Sequence, residues 1–140
     1  TVRTSRYKLI QHLMPGQINP GYEFTIKRFF ADLPKAIESA PDQIRDSYRR
    51  MSRPPEFELY DLQNDPFEFR NLADNPEYAE VLSQLTTKLD GWRLRTNDPL
   101  LKQENLEQLK AELDACMVDG QARKEQLNLS YSEYFFLDRP

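Results

Sequence analysis

The spacing of apolar residues changes period along the 140-residue chain, and each change marks an element. Between Phe57 and Leu62 the period is two: Phe57 and Leu59 fall on one side of an extended chain, Glu58 and Tyr60 on the other. That alternation belongs to a strand with two unlike faces. Val2 to Leu13 holds two shorter extended runs around Ser5-Arg6, which predicts a hairpin with Tyr7, Leu9 and Gln11 facing away from Lys8, Ile10 and His12. From Asp74 onward the period lengthens. Tyr78, Val81, Leu82, Leu85, Leu89 and Trp92 recur at spacings of three and four, predicting one long helix that buries this whole stripe, Trp92 included. Asp74 or Asn75 can cap it, Pro76 suits its first turn, and Glu77 complements the positive end of its dipole. Burying six such side chains is worth on the order of 10 kcal/mol before entropy is counted. The stripe needs a sheet to cover, and the hairpin and the Phe57 strand are the ones available. The predicted fold class is α+β: a small antiparallel sheet of about four strands, the long amphipathic helix packed across it, and additional short helices.

Shorter signals fill the rest. Leu33–Ala40 and Asp42–Met51 read as helices, with Asp42 as N-cap after Pro41 and Ile44, Tyr48 and Met51 on one face. Tyr22–Phe30 suits either a strand or the approach to a helix. Beyond Asp98-Pro99 a helix is expected with Leu106, Leu109, Leu113 and Met117 on one face, ending near Gly120. In the stretch from Leu127 to Leu137, four consecutive apolar residues, Tyr134-Phe135-Phe136-Leu137, predict docking against another surface. Two units are expected: a sheet-and-helix subdomain over 1–101 and a helical extension over 102–140, packed on the same domain.

The strand and the long helix are separated by a corner. Pro66 pushes Asp65 out of helical conformation, and Asn64 and Asp65 can bond backbone groups just ahead. Glu68 is near enough to accept hydrogen bonds from the turn, Asn71 tolerates unusual backbone angles, and Leu72 offers an apolar anchor. Asp65, Pro66, Glu68 and Asn71 are therefore the expected structural residues of the turn. Asp61, Asp65 and Glu68 could be imagined as a calcium loop, but the Asp-Pro turn explains them more simply and the EF-hand ligand pattern is absent.

The run Glu58-Leu59-Tyr60-Asp61-Leu62, Asp65-Pro66, Glu68, Asn71-Leu72 resembles the pattern near the start of the small C-terminal subdomain of type I sulfatases. Val2-Arg3-Thr4 with Arg6 to Ile10 looks like the hairpin that opens that subdomain. Leu89 to Trp92, Thr96 and Asp98-Pro99 resemble the end of its long helix, particularly in the heparan N-sulfatase (sulfamidase) branch. The likeness covers roughly residues 1 to 101. It implies a fragment of an exported parent (periplasmic, secreted or lysosomal) that hydrolyses sulfate esters or N-sulfate groups, on glycans such as a glycosaminoglycan, with a formylglycine and a calcium ion. It also implies that the formylglycine motif, C/S-x-P/A-x-R, lies elsewhere, because Cys116 is followed by Met117-Val118-Asp119-Gly120. The expected job is structural: to pack on a missing N-terminal catalytic domain and shape the rim of its cleft. No catalytic residue, metal ligand or cofactor is expected in the chain itself. Arg3 is the candidate for reaching the sulfated substrate, its guanidinium suiting sulfate or carboxylate; the plain alternative is a salt bridge to the neighbouring domain.

Charge refines this picture. Residues 1–53 hold ten Lys/Arg and five Asp/Glu, whereas the remainder holds nine and eighteen. The basic first third, densest at Tyr48-Arg49-Arg50 with Arg53, is either a solvated helix face or a surface for a polyanion. Hence the competing expectation of a free-standing module that binds a polyanion there. A net charge of −4 and no interleaved aromatic-basic patch argue against nucleic acid. No apolar run approaches the ~18 residues of a membrane span. Cys116 is the single cysteine, which leaves no intrachain disulfide. His12, the single histidine, is expected at a solvent or polar contact.

Overall fold

A computed structural model describes residues 1–22, 26, 30, 32–118, 121–122 and 130. Strands β1 (Val2–Arg3), β2 (Tyr7–Gln11) and β3 (Phe57–Asp61) form an antiparallel sheet in that order. Leu9 stands opposite both Val2 and Leu59 in the register, so the apolar face is continuous across all three strands. Between β2 and β3 lie helices α1 (Leu33–Glu38) and α2 (Asp42–Ser52). After β3 come the corner, a 3₁₀ turn at Pro76–Tyr78, and the long helix α3 (Ala79–Arg95). Another 3₁₀ turn at Pro99–Leu101 leads into α4 (Gln103–Ala115). A short pair, β4 (Met117–Val118) and β5 (Gln121–Ala122), follows.

The period-two and period-3.6 patterns meet in one core. Leu9 and Leu59 are fully buried, Leu72 and Leu85 nearly so, and Val2, Tyr7, Phe57, Tyr78, Val81 and Leu82 pack around them. Tyr78 meets Tyr7 edge-on with ring centroids 6.4 Å apart. Asn75, one of the two expected caps of the long helix, caps the 3₁₀ turn ahead of it, accepting from the Glu77 N–H at 3.1 Å, while α3 itself starts at Ala79 with Tyr78 at its N-cap and no side-chain cap. The predicted α+β class with a helix across an antiparallel sheet is observed, with three strands in that sheet where about four were expected.

Four expectations need correction. Trp92 is 53% exposed, although Leu85 and Leu89 of the same stripe are buried. The 17-residue helix is about 26 Å long, while a five-residue strand spans about 17 Å, so the helix outruns the sheet. Its next inward position after Leu89 is Arg93, four residues on, and this side chain takes the buried place. Arg93 Nε donates to Asp98 Oδ2 at 2.7 Å and Nη2 to the Leu100 carbonyl at 3.3 Å, closing the corner beyond the helix. There Asn97 adopts φ +51°, and the N–H groups of Asn97 and Asp98 donate to the carbonyls of Leu94 and Arg93, a Schellman ending.

The second correction concerns α4, which stops at Ala115 instead of near Gly120; Met117 pairs with Ala122 in a strand. Third, Asp42 is the first residue of α2, not its cap; it ion-pairs with Arg45 inside the first turn. Fourth, Met51 is 55% exposed, so it does not share the half-buried face of Ile44 and Tyr48. Of Tyr22–Phe30 only Tyr22, Ile26 and Phe30 are described, and of Leu127–Leu137 none except Ser130, so those expectations lie outside the described residues. Ser130 bonds Glu112 of α4 through its N–H, at 3.0 Å, and its hydroxyl.

Replacing Leu85 by Ala is expected to cost about 2–5 kcal/mol, whereas Trp92→Ala in the same chain should stay within about 0.5 kcal/mol. Gly91 lies inside α3, and a Cβ there would meet only the end of the Arg95 side chain at 3.3 Å. Gly91→Ala should therefore stabilise by about 0.5–1 kcal/mol. Urea unfolding of the three variants checks all of these, and equal costs for Leu85 and Trp92 would contradict the overhanging helix.

Candidate functional site

The corner after β3 is built on Asp61, the last residue of that strand. Its carboxylate accepts from Arg6 Nε at 3.2 and 3.1 Å and from Arg6 Nη2 at 2.8 Å. It also accepts from the Gln63 N–H at 3.2 Å and Asn64 Nδ2 at 2.9 Å. The Arg6 hydrogen bonds are the largest influence holding the Asp61 carboxyl below its usual range, with Asn64 and Gln63 adding to it against the opposing effect of burial. The Asp61 carbonyl takes the N–H groups of Asn64 and Asp65, which begins the turn. Asp61 thereby ties the tip of the β1–β2 hairpin to the start of the corner.

The expected turn residues take distinct places around it. Asp65 Oδ2 accepts from the Arg70 backbone N–H at 2.7 Å, and the Asp65 carbonyl accepts from Glu68 N–H at 3.2 Å. Pro66 follows, and Glu68 sits at φ +60°. The Glu68 carboxylate reaches Lys8 Nζ on β2 at 2.5 Å, not the backbone donors of the turn. Asn71 is not in the left-handed region, among the described residues occupied by Glu68 and Asn97 outside glycine. Its amide instead imitates a strand: Oδ1 accepts from the N–H groups of Leu59, at 2.9 Å, and Ala73, at 3.0 Å, while Nδ2 donates to the Phe57 carbonyl at 3.0 Å. Leu72 N–H adds a bond to the Leu59 carbonyl at 2.8 Å. Together they close the outer edge of β3.

On the sheet face away from α3 lies a cluster that sequence reasoning did not assemble. Glu58, nearly buried, accepts at Oε1 from or shares a proton with His12 Nε2 at 2.7 Å. The Tyr60 hydroxyl donates to Glu58 Oε2, and Arg50 Nε of α2 lies 3.6 Å from the same oxygen. Arg50 Nη2 donates to the Phe69 carbonyl at 2.7 Å, which joins α2 to the corner. Burial foremost, and then the bond to Glu58, push the Tyr60 hydroxyl well above its ordinary pKa, so it remains a proton donor. The signal available beforehand was the polar face Glu58/Tyr60 itself; its pairing with residues 8 and 46 positions away in sequence was not readable. The cluster forms the floor of a concavity of about 630 Å³ whose described walls include Ile10, Met51, Phe67 and Leu113.

Arg3, in β1, is exposed and stands opposite Lys8 in the register. Among the described residues it makes no ion pair, and it is separate from the Glu58 cluster. The carboxylates suit a structural role better than a metal one: Asp61 is occupied by a guanidinium, Glu68 by an ammonium and Glu58 by His12, Tyr60 and Arg50. The donor set a calcium ion needs is not assembled by these residues. Cys116 is buried, its thiol pushed up in pKa by desolvation and donating to the Leu113 carbonyl, which is the environment of an inert cysteine.

Asp61→Asn should destabilise the chain by about 2 kcal/mol at pH 7, the value of charge-assisted bonds whose arginine is partly exposed. Because folding lowers the Asp61 pKa, its contribution is complete above the unfolded value near 4 and disappears as pH falls through the lower folded value. Melting curves of wild type and variant should therefore converge on acidification below about pH 4. A gap that persists there would assign the effect to shape, not charge.

Residues 46–95, from the middle of α2 to the end of α3, match the family described as N-sulphoglucosamine sulphohydrolase, C-terminal. An ulvan-active sulfatase of Formosa agariphila is 35% identical over 103 residues, 69% of this chain and 17% of that protein. A second ulvan-active sulfatase of the same organism is 49% identical over 43 residues, 31% of this chain and 9% of its own length. The human N-sulphoglucosamine sulphohydrolase is 30% identical over 103 residues, 71% of this chain and 20% of its own. The chain thus spans a fifth or less of these relatives. No solved structure matches it. The matched segment contains β3, the Asp61 corner, Asn71 and the long helix, and the chain belongs to the C-terminal subdomains of the sulfatases.

Proposed function

We propose that the chain is the non-catalytic C-terminal subdomain of an enzyme that hydrolyses sulfate esters or N-sulfate groups on glycans, and that it supports the catalytic domain and the rim of its cleft. The observation that carries this is the family match over residues 46–95, which coincides with the hydrogen-bonded corner and the helix behind it. Relatives named for ulvan and for N-sulphoglucosamine, both carbohydrates, support a glycan substrate. The catalytic apparatus belongs to the preceding domain of the parent, where a formylglycine would supply the nucleophile and calcium would bind the sulfate. Export of the parent, to the periplasm, the medium or a lysosome, accords with such substrates. Residues 1–101 form the subdomain proper. Residues 102–140 extend it on the same domain, a packing supported by Leu113, which lines the concavity that Ile10 and Glu58 also line.

Arg3 is proposed to face substrate or the catalytic domain. It extends from the strand nearest the parent's preceding sequence, and its guanidinium can bind sulfate or carboxylate through two parallel bonds. In the full-length polypeptide, Arg3→Ala should raise KM for a sulfated oligosaccharide about tenfold, the equivalent of one such contact, without lowering Tm. A lower Tm at unchanged KM would assign Arg3 to an interdomain salt bridge.

The broader proposal is tested by comparing the full-length polypeptide with this chain on 4-nitrophenyl sulfate and on a glucosamine N-sulfate. Turnover is expected from the former and none from the latter. Hydrolysis by the purified chain, or inactivity of the full-length polypeptide towards both compounds, would refute it.

A further inference from the structure

The concavity of about 630 Å³ on the sheet's second face is walled by four separate elements: Ile10 comes from β2, Met51 from α2, Phe67 from the corner and Leu113 from α4. Its size is that of a cleft that encloses another molecule or segment. Two of the wall residues are large, apolar and exposed. Phe67 is 77% exposed, more than any other such side chain described, and Met51 is 55% exposed. The corner presents Phe67 outward, because the next residue, Glu68, is held at φ +60° with its carboxylate on Lys8. Apolar side chains gathered on one concave surface mark a place that another apolar group covers.

The lining has no surplus charge to offer an ionic ligand. Glu58 is answered by His12 and Arg50, and Glu68 by Lys8. What is left is apolar wall and one unanswered donor. Arg50 Nε is buried with no hydrogen-bond acceptor among the described residues, since Glu58 Oε2 stands 3.6 Å away. A buried donor of this kind is completed by a carbonyl or hydroxyl oxygen. A stretch of polypeptide with aromatic side chains brings both the apolar surface and the oxygen.

This chain has such a stretch next to the concavity. Ser130 is fastened to α4: its N–H donates to Glu112 Oε2 at 3.0 Å, its hydroxyl donates to Glu112 Oε1, and Gln108 Nε2 donates to Ser130 Oγ at 2.8 Å. Leu113, the neighbour of Glu112 in that helix, already lines the concavity. Tyr134 comes four residues after Ser130 and Leu137 seven, so the apolar run Tyr134-Phe135-Phe136-Leu137 can extend about 13–25 Å from this anchor. So short a tether leaves little loop-closure entropy to oppose docking and keeps the run at an effective concentration of about millimolar. A second copy or a free partner has no such advantage. We infer that the concavity is the docking groove for this chain's own apolar run at 134–137, which covers Met51 and Phe67. Such docking is independent of the sulfatase reading, because the anchor, the groove and the run all belong to this chain.

The full-length polypeptide with p-benzoylphenylalanine in place of Phe67 tests this directly. On irradiation it should cross-link to a peptide containing residues 131–137, in a product that still runs as a monomer. Hydroxyl-radical footprinting gives a second reading. Met51 and Phe67 should be protected in the wild type and oxidised severalfold faster in a Phe135→Ser/Phe136→Ser variant. A cross-link into the preceding domain, a cross-linked dimer or no cross-link overturns the inference. Ready oxidation of Met51 and Phe67 in the wild type overturns it too, because the groove is then open. Protection that survives the double substitution does the same, because something else then covers the groove. Should the double variant fail to fold, the cross-link decides, since it leaves residues 134–137 unchanged.

Discussion

The bidentate pair of Arg6 with Asp61 is the constraint on which the other arrangements depend. It joins the tip of one hairpin to the last residue of a strand 55 positions later in sequence. Arg6 also lies over the Tyr7 ring at 4.8 Å, and Tyr7 meets Tyr78 at the start of the long helix. One guanidinium is thus in contact with the sheet, the corner and, through one aromatic ring, the helix. A lysine could supply the charge but not the fork, so the geometry of three parallel restraints is specific to arginine.

Two faces of one small sheet carry different burdens. The face with Leu9 and Leu59 is dry and supplies cohesion, whereas the face with Glu58 and Tyr60 is polar and is paired off internally. Such internal pairing keeps the buried Glu58 carboxylate from being an unpaired charge, which would be costly. It also explains why α2, a helix with no fully buried residue, stays in place: Arg50 anchors it to Glu58 and to the Phe69 carbonyl.

Local patterns in the chain were readable, and long-range partners were not. The alternation at Phe57 to Tyr60, the hairpin around Ser5-Arg6 and the cap at Asn75 all follow from neighbours within four residues. Trp92 was misplaced because periodicity measures a helix face without knowing how far the opposing sheet extends. The end of α4 was misplaced because Met117 matches a helical stripe and a strand equally well. The acids of the corner were recognisable as backbone struts, yet Asp61, the most heavily bonded of them, stood out less than Asp65 beside its proline. Its partner Arg6 and the Lys8 partner of Glu68 come from another part of the chain, and spacing carries no information about them. The Glu58 cluster was hidden for the same reason.

The amide of Asn71 has a consequence for how the sheet can grow. By occupying the donor and acceptor of Leu59 and Phe57, it blocks β3 as a template, so lateral extension is possible only along β1. The sheet is polar in the polymer sense, with one terminated end and one living end. Any strand recruited from elsewhere in a parent polypeptide, or from another molecule during misassembly, must therefore arrive beside Val2 and Arg3, next to the hairpin that Asp61 holds rigid.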